Sequence, residues 1–305
     1  MKDNNERYME PLTTKSVNTK LQSENYLYSI ELPKTTLDSL ILPLKTKKQI
    51  KSILTKIKNY DLLYNKFGLK EIDKTGGRTL INLYGPPGTG KSFAAEAIAN
   101  ELAKKIIKAN YAQIESKFVG ETPKNIKEIF KVAKEEDAVV LFDEADSILG
   151  RRLSNVTQST DHAVNVSKSV MLLEMDNFSG IMIFTTNFGK NYDSAFVRRI
   201  IGHIEFELPN EENRKKIFLG MLPKNLPVSL TDAEVTEIIY ETNGLSGGDL
   251  LNIVLYASCA AVERDGENCL IGLSDFKEAC CLIKKAKESI GRTKQSKLFN
   301  SITED

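Results

Sequence analysis

The chain has 305 residues, of which 41% are hydrophobic and 27% are charged, a balance typical of a folded globular protein rather than a disordered or fibrous one. Its 42 basic and 41 acidic side chains nearly cancel, so no overall charge draws the protein to nucleic acid or to an anionic membrane. The apolar runs are far shorter than the roughly 20 residues of a membrane-spanning helix, and the N-terminus lacks the apolar stretch of a secretory signal. We therefore expect a cytoplasmic protein without a membrane span.

The first part of the chain divides into a polar arm and a basic helix. Residues 1–33 are polar and lack sustained periodicity, which indicates a flexible arm. Its tyrosines could anchor a partner such as an adaptor, but loose packing on the chain's own domain fits the same pattern. Residues 46–59 place isoleucine and leucine at helical spacing with lysines on the other faces, which predicts an amphipathic helix. A solvated lysine face is the simpler explanation of this charge, and an acidic or phosphate-bearing partner is the alternative.

Short β-rich runs then alternate with helical patterns. Such alternation predicts an α/β domain with a parallel sheet covered by helices on both faces. The predicted strands cover residues 79–84, 105–109, 138–142, 182–186 and 204–207. After Pro209 only helical patterns follow, which predicts a small all-helical lid domain. The predicted domain bounds are 1–33 for the arm, 34–209 for the α/β domain, 210–289 for the lid and 290–305 for a C-terminal tail.

A glycine-rich segment follows the first predicted strand and precedes a predicted helix. It satisfies the pattern G-x-x-x-x-G-K-[S/T], a P-loop that surrounds nucleotide phosphates with backbone N–H groups and the positive end of the helix. Lys91 is expected to reach the β- and γ-phosphates, and Ser92 to supply a hard oxygen to Mg²⁺. The residues assigned to nucleotide binding here are Gly85, Pro86, Pro87, Gly88, Thr89, Gly90, Lys91, Ser92 and Phe93.

A near-continuous apolar run at residues 138–142 ends in two acids, Asp143 and Glu144. An acidic pair closing a strand at the surface is common and has no diagnostic value alone. Beside a phosphate-binding loop, however, Asp143 can bind the Mg²⁺ shell, and Glu144 can polarise a water for attack on the γ-phosphate. The two motifs together predict the hydrolysis of a nucleoside triphosphate.

Four segments together resemble the AAA subgroup of AAA+ ATPases: GPPGTGKS at 85–92, VVLFDEAD at 139–146, MDNF at 175–178 and TTN at 185–187. The resemblance extends over about residues 36–288. It implies a P-loop NTPase domain with a helical lid, ATP or ADP and Mg²⁺ as ligands, and a homo-oligomeric ring, usually a hexamer.

The resemblance assigns further catalytic residues. Asn187 matches the polar sensor that orients the attacking water, although asparagine also ends strands in ordinary turns. Arg198 and Arg199 match the arginines that reach the γ-phosphate held by the neighbouring subunit, a role that suits a permanently charged, bidentate guanidinium. The two arginines are adjacent, whereas family members often space them apart, and we favour Arg199. Surface salt bridges are the alternative role for the pair.

Two further segments match the family less closely. Residues 244–250, GLSGGDL, resemble its G-x-S-G-A-D-L turn, which implies that Gly247 and Gly248 approach the adenine and sugar through their backbone. Ser246 and Asp249 of this turn are also ordinary helix-capping residues. Residues 38–42 occupy the position where the family's chain passes over the base, but their match to its glycine-containing pattern is poor.

The segment SKFVGE at 116–121 resembles the family's pore loop, with phenylalanine where tryptophan or tyrosine is common. The resemblance implies that Lys117, Phe118 and Val119 line the hole of a ring and hold an extended polypeptide by apolar contact. The alternative is that the Phe-Val pair only staples the next helix to the core.

These features predict a ring-forming ATPase that remodels, unfolds or disassembles a protein substrate. The alternative is a nucleic-acid motor or loader, which the lysine-rich helix favours and the balanced charge and pore loop disfavour. A third possibility is an ATP-dependent assembly switch with little turnover, against which the intact Glu144 argues.

The cysteines carry no further site. Cys259, Cys269, Cys280 and Cys281 lack C-x-x-C spacing and are accompanied by only two histidines, so neither zinc nor a disulfide framework is predicted. We expect all four to be buried as small apolar side chains.

Overall fold

The computed structural model describes residues 27–75, 77–114, 121–150, 159–187, 189 and 192–299. Six strands in this part of the chain form one sheet in the order β1-β3-β4-β5-β2-β6. Their bounds are β1 (Ser29–Glu31), β2 (Thr79–Tyr84), β3 (Ile106–Asn110), β4 (Val139–Asp143), β5 (Ile181–Thr186) and β6 (Gly202–Glu205). The last five are the strands predicted from the sequence, and each runs parallel to its neighbours among them. The predicted α/β fold is thereby confirmed.

The first strand is a difference from the sequence-based expectation. Residues 29–31 lie in the segment predicted to be a flexible arm, yet they pair antiparallel with β3 at the edge of the sheet. Lys108 of β3 also forms an ion pair with Glu31, with 2.7 Å between Nζ and Oε2. A strand of three residues carries too little alternation to be recognised in the sequence. Residues 1–26 of the predicted arm lie outside the described residues.

Helices cover both faces of the sheet, because successive strand residues point to opposite sides. On one face, Val140, Phe142 and Phe184 share a core with α4 and α6. On the other, Ile81, Leu83 and Leu141 pack against α1 and α2. The helices of this domain are α1 (Leu44–Lys58), α2 (Lys91–Glu101), α3 (Tyr111–Ile114), α4 (Glu121–Glu135), α5 (Asp146–Leu149), α6 (Ser159–Asn177) and α7 (Ser194–Val197).

The basic helix α1 buries the stripe that its sequence predicts, with Ile50 and Leu54 in the core. Two of its lysines form contacts within the chain. Lys56 Nζ donates to the carbonyl oxygen of Arg78 at 3.0 Å, and Lys58 forms an ion pair with Glu101. These contacts reduce the charge available to an external partner.

Four helices follow the last strand: α8 (Glu211–Gly220), α9 (Asp232–Glu241), α10 (Gly247–Asp265) and α11 (Leu273–Phe299). They enclose their own core, in which Phe218 and Phe276 pack edge to face with ring centroids 5.3 Å apart. Ser246 caps α10 in a reciprocal capping box with Asp249. The backbone of α11 continues to Phe299, through part of the segment predicted as a tail.

The expectation of four buried cysteines is wrong for two of them. Cys269 and Cys280 are buried, and burial raises the pKa of the Cys280 thiol to about 11. Cys259 and Cys281 are exposed, because they lie on the outward faces of α10 and α11. None of the described helices combines the length and the apolar character that a membrane span requires.

Candidate active site

The P-loop closes around its own lysine. Residues 85–90 connect β2 to α2, and Lys91 is the first residue of that helix. Its side chain is buried, and Nζ donates to the carbonyl oxygens of Gly85 and Pro86 at 2.7 and 2.8 Å and to Asn187 Oδ1 at 3.0 Å. Burial lowers the pKa of Lys91, while the nearby carboxylates of Asp143 and Asp146 oppose that shift. The lysine ammonium group is therefore surrounded by oxygen atoms.

Asp143 and Ser92 meet at the carboxyl edge of the sheet, as the sequence predicts. Ser92 Oγ lies 3.2 and 3.1 Å from the two carboxylate oxygens of Asp143, and Thr185 Oγ1 donates to the same carboxylate. The parallel pairing of β4 with β5 brings Thr185 beside Asp143. The result is a cluster of hard oxygen atoms next to the lysine, the kind of donor set that Mg²⁺ prefers.

Glu144 is held in a left-handed backbone conformation with φ of 54°. A side chain there costs roughly 1–2 kcal/mol, which neighbouring contacts must offset. The Glu144 N–H donates to Asp143 Oδ1 and to Thr185 Oγ1, both at 3.2 Å. The carboxylate accepts from Asn110 Nδ2 at 3.2 Å. This strained turn aims the carboxylate away from the strand direction and towards the end of β3.

Asn110 is a site residue that sequence reasoning missed. It ends β3 and stands opposite Asp143 in the parallel register. The signal was available, because a polar residue that ends a strand beside the acidic strand must lie at the same sheet edge. The sequence alone does not identify Asn110, because it does not reveal that β3 lies beside β4 in the sheet.

Asn187 follows β5 and contacts the P-loop lysine through its side-chain oxygen. Its backbone N–H donates to the two Asp146 carboxylate oxygens at 3.1 and 3.2 Å. The structure therefore places the predicted sensor directly beside Lys91, with its position fixed by the carboxylate at the start of α5.

The two adjacent arginines have different surroundings. Arg199 Nε and Nη2 donate to the two Asp176 oxygens at 2.9 and 2.7 Å, and Nη1 donates to the Ala195 carbonyl oxygen at 2.9 Å. Arg78 joins the same carboxylate at 2.8 Å. These hydrogen bonds lower the pKa of Asp176. Arg198, by contrast, is exposed. The geometry does not favour Arg199 as the residue that reaches outward, because its guanidinium is held within its own chain.

The lid contacts the P-loop through the predicted glycine turn. Gly248 N–H donates to the Gly88 carbonyl oxygen at 3.0 Å. Gly88 has a φ of 74°, and a Cβ on it would lie 2.5 Å from Ser246 Oγ, so a side chain would be strained there and would push the lid away. Glycine on both sides allows the two backbones to approach closely.

A cavity of about 780 Å³ extends from the P-loop to the lid. At one end lie Lys91, Ser92, Asp143, Glu144 and Asn187. The other end is mainly apolar and is lined by residues 40–43 and by Ile217, Met221 and Leu251. Gly247, Gly248 and the exposed Phe93 also line it. The cavity is thus polar at one end and apolar at the other, as a nucleotide is. The predicted pore residues Lys117, Phe118 and Val119 lie outside the described residues.

Comparison with known proteins gives a consistent result. Residues 81–208 match the ATPase family associated with various cellular activities (AAA). The chain is 33% identical to the proteasome-activating nucleotidase of Methanopyrus kandleri, over 68% of this chain and 48% of that protein. It is 32% identical to the 26S proteasome subunit RPT4 of Saccharomyces cerevisiae, over 72% and 50% of the two chains. It is 30% identical to Fidgetin-like protein 1 of Drosophila melanogaster, over 73% and 45%.

The fold is similar to that of a solved domain. A crystal structure of the FIGL-1 AAA domain in complex with ADP superposes with a TM-score of 0.70 and 22% sequence identity, covering 85% of this chain and 88% of that one. The chain spans about half the length of the three sequence relatives.

Proposed function

The chain belongs to the AAA family of ATPases, and we propose that it binds ATP with Mg²⁺ and hydrolyses it to ADP and phosphate. The observation that carries this proposal is the cavity that joins the P-loop, the acidic strand end and the sensor at its polar end. Five side chains of four chemical types, from three sequence segments, converge there. A turn that only connected a strand to a helix would not require them.

The residues present fit a magnesium ion and a triphosphate. Ser92 and the carboxylate of Asp143 would hold Mg²⁺, which prefers a few protein oxygens together with phosphate oxygens. When bound, the ion neutralises charge on the β- and γ-phosphates. Lys91 Nζ now donates to two backbone carbonyl oxygens, and anionic phosphate oxygens are stronger acceptors that would replace them.

The chain's own catalytic residues then have separate roles. Glu144 takes a proton from the attacking water, and Asn187 orients that water through its amide. Lys91 binds the phosphates electrostatically. In the conformation described, Asn110 occupies one oxygen of Glu144 with a hydrogen bond. A carboxylate has two oxygens with about four lone-pair sites, so this hydrogen bond leaves acceptor capacity for the proton.

We propose a homo-oligomeric ring, most simply a hexamer, in which Arg198 reaches the nucleotide of the next subunit. Arg198 is exposed near the carboxyl end of α7, whereas Arg199 is bound to Asp176. An arginine of this kind can raise the rate by about 10³ to 10⁵ by stabilising charge in the transition state. This assignment replaces the preference for Arg199 that the sequence alone suggested.

We propose that ATP hydrolysis drives the unfolding or remodelling of a protein in the cytoplasm. Two of the relatives are a proteasome-activating nucleotidase and a proteasome subunit, and the sequence of residues 116–121 supports a loop that grips polypeptide. Two of the α1 lysines, Lys56 and Lys58, contact groups of the chain itself, which gives less support to a nucleic-acid partner. An adaptor that binds residues 1–26 would be one route for cargo.

The proposal is tested by phosphate release from Mg·ATP at nanomolar and micromolar protein. The activity per subunit should rise with concentration, because each site needs a neighbour. Lys91→Ala is the matched control and should release no phosphate above background at either concentration. Absence of phosphate release by the wild type under both conditions would exclude ATP hydrolysis, and equal activity per subunit would exclude the shared site.

Phe118→Ala is expected to separate hydrolysis from remodelling. Alanine removes an aromatic surface of about 150–250 Å² that would hold the polypeptide. Basal phosphate release should stay within about twofold, while unfolding of a destabilised fluorescent protein with an extended tail should fall at least about tenfold. Phe118→Tyr keeps the ring and is the control. A melting temperature lowered by about 5 °C or more, with loss of hydrolysis, would instead identify Phe118 as a core residue.

A further inference from the structure

One carboxylate outside the catalytic cluster organises the wall of the nucleotide cavity. Glu96 lies in α2, four residues after Ser92, and its side chain is only 14% exposed. Its Oε1 accepts the backbone N–H groups of Lys34 and Thr35 at 2.8 and 3.1 Å. Its Oε2 accepts from Lys108 Nζ at 3.2 Å. Three donors thus converge on one carboxylate whose role the catalytic reaction does not explain.

These donors belong to different parts of the fold. Lys34 and Thr35 follow β1, whereas Lys108 lies on β3 and also pairs with Glu31 of β1. From the same helix as Glu96, Asn100 Nδ2 donates to the Thr35 carbonyl oxygen at 2.8 Å. Two side chains of the P-loop helix therefore hold both the N–H and the C=O of one short backbone stretch.

This stretch lies within the segment of residues 32–43, here named the pocket-wall segment. Lys34, Thr35 and residues 39–43 line the cavity, and residues 40–43 form part of its apolar end. The segment packs Leu37, Leu40 and Leu42 against the core of the α/β domain. Its position relative to the P-loop is thus fixed by apolar packing at one end and by Glu96 and Asn100 at the other.

We propose that Glu96 is a positioning residue for nucleotide binding, which holds the pocket-wall segment against the P-loop helix so that the apolar end of the cavity is formed before the nucleotide arrives. This inference rests on the proposed ATP site. Pre-organisation of this kind improves affinity because the segment is not ordered at the moment of binding. Burial raises the pKa of Glu96, but the backbone N–H groups and Lys108 lower it to about 2, so the carboxylate stays ionised.

The test compares Glu96→Gln with Glu136→Gln. Glutamine keeps the shape but loses the charge that strengthens three hydrogen bonds, so the Kd for Mg·ADP by calorimetry should rise about tenfold. The turnover number at saturating ATP should change less than about twofold, because the reacting end of the cavity is untouched. Glu136 forms a comparable ion pair with Lys105 away from the cavity, and its substitution should leave the Kd unchanged.

Hydrogen exchange separates positioning from general stability. In Glu96→Gln, the Lys34 and Thr35 amides should exchange faster while those of β4 remain protected. Asn100→Ala should raise the Kd in the same direction, and this variant also decides the matter if Glu96→Gln does not fold. If the wild type binds Mg·ADP and both variants bind it equally well, the positioning role of Glu96 is overturned while the proposed ATP site stands. Wild type that does not bind Mg·ADP would overturn the proposed ATP site with it.

Discussion

Glu144→Gln is expected to bind Mg·ATP with an affinity close to that of the wild type and to release phosphate at least about a hundredfold more slowly. The amide has nearly the shape of the carboxylate, so the turn with positive φ and its contacts to Asp143 and Thr185 can persist. The amide cannot take a proton from water. Single-turnover phosphate release and ATP binding by calorimetry, measured on the same preparation, check both parts of this expectation.

Lys91→Ala is the matched comparison for this variant, because it removes a binding group and not the base. Its ATP affinity should fall strongly, since a buried cation surrounded by oxygen atoms is lost. The two variants therefore fail at different steps. Hydrolysis near the wild-type rate in Glu144→Gln would show that another group acts as the base.

The strands and the P-loop could be predicted because their signals are local. A buried parallel strand is apolar along its length, and the P-loop motif specifies its own backbone path, so both can be recognised without knowing the rest of the fold. The same holds for the capped helices of the lid, where Ser246 and Asp249 mark the start of α10 within four residues. The five predicted strands agree with the observed bounds to within two residues.

The contacts that position the site could not be predicted, because their partners are distant in sequence. Glu96 and Lys34 are 62 residues apart, and Arg78 and Asp176 are 98 residues apart. Their pairing depends on the order β1-β3-β4-β5-β2-β6, which periodicity does not reveal. Asn110 shows the same limitation, since its role follows only from its register opposite Asp143. Residue type alone could not assign these side chains.

The choice between the two arginines illustrates how packing decides a role that the motif leaves open. A guanidinium that already donates to both oxygens of one carboxylate must break those bonds before it can bind phosphate elsewhere. Arg199 would therefore lose its hydrogen bonds to Asp176 when it binds phosphate across the interface. Arg198 is exposed and does not share the Asp176 contacts that hold Arg199. We accordingly expect different defects from the two alanine variants.

Arg198→Ala is expected to keep nucleotide affinity and to lower turnover by about 10³-fold, because the residue acts on the transition state in the neighbouring subunit. Arg199→Ala should lower the melting temperature as well, since it leaves Asp176 with Arg78 alone.

Subunit mixing tests the shared site. A Lys91→Ala subunit cannot hold ATP but retains Arg198, so it can serve an Arg198→Ala neighbour. In an equal mixture about one interface in four joins an intact P-loop to an intact arginine. Hydrolysis should return there, and its absence despite verified co-assembly would mean that Arg198 does not act across subunits.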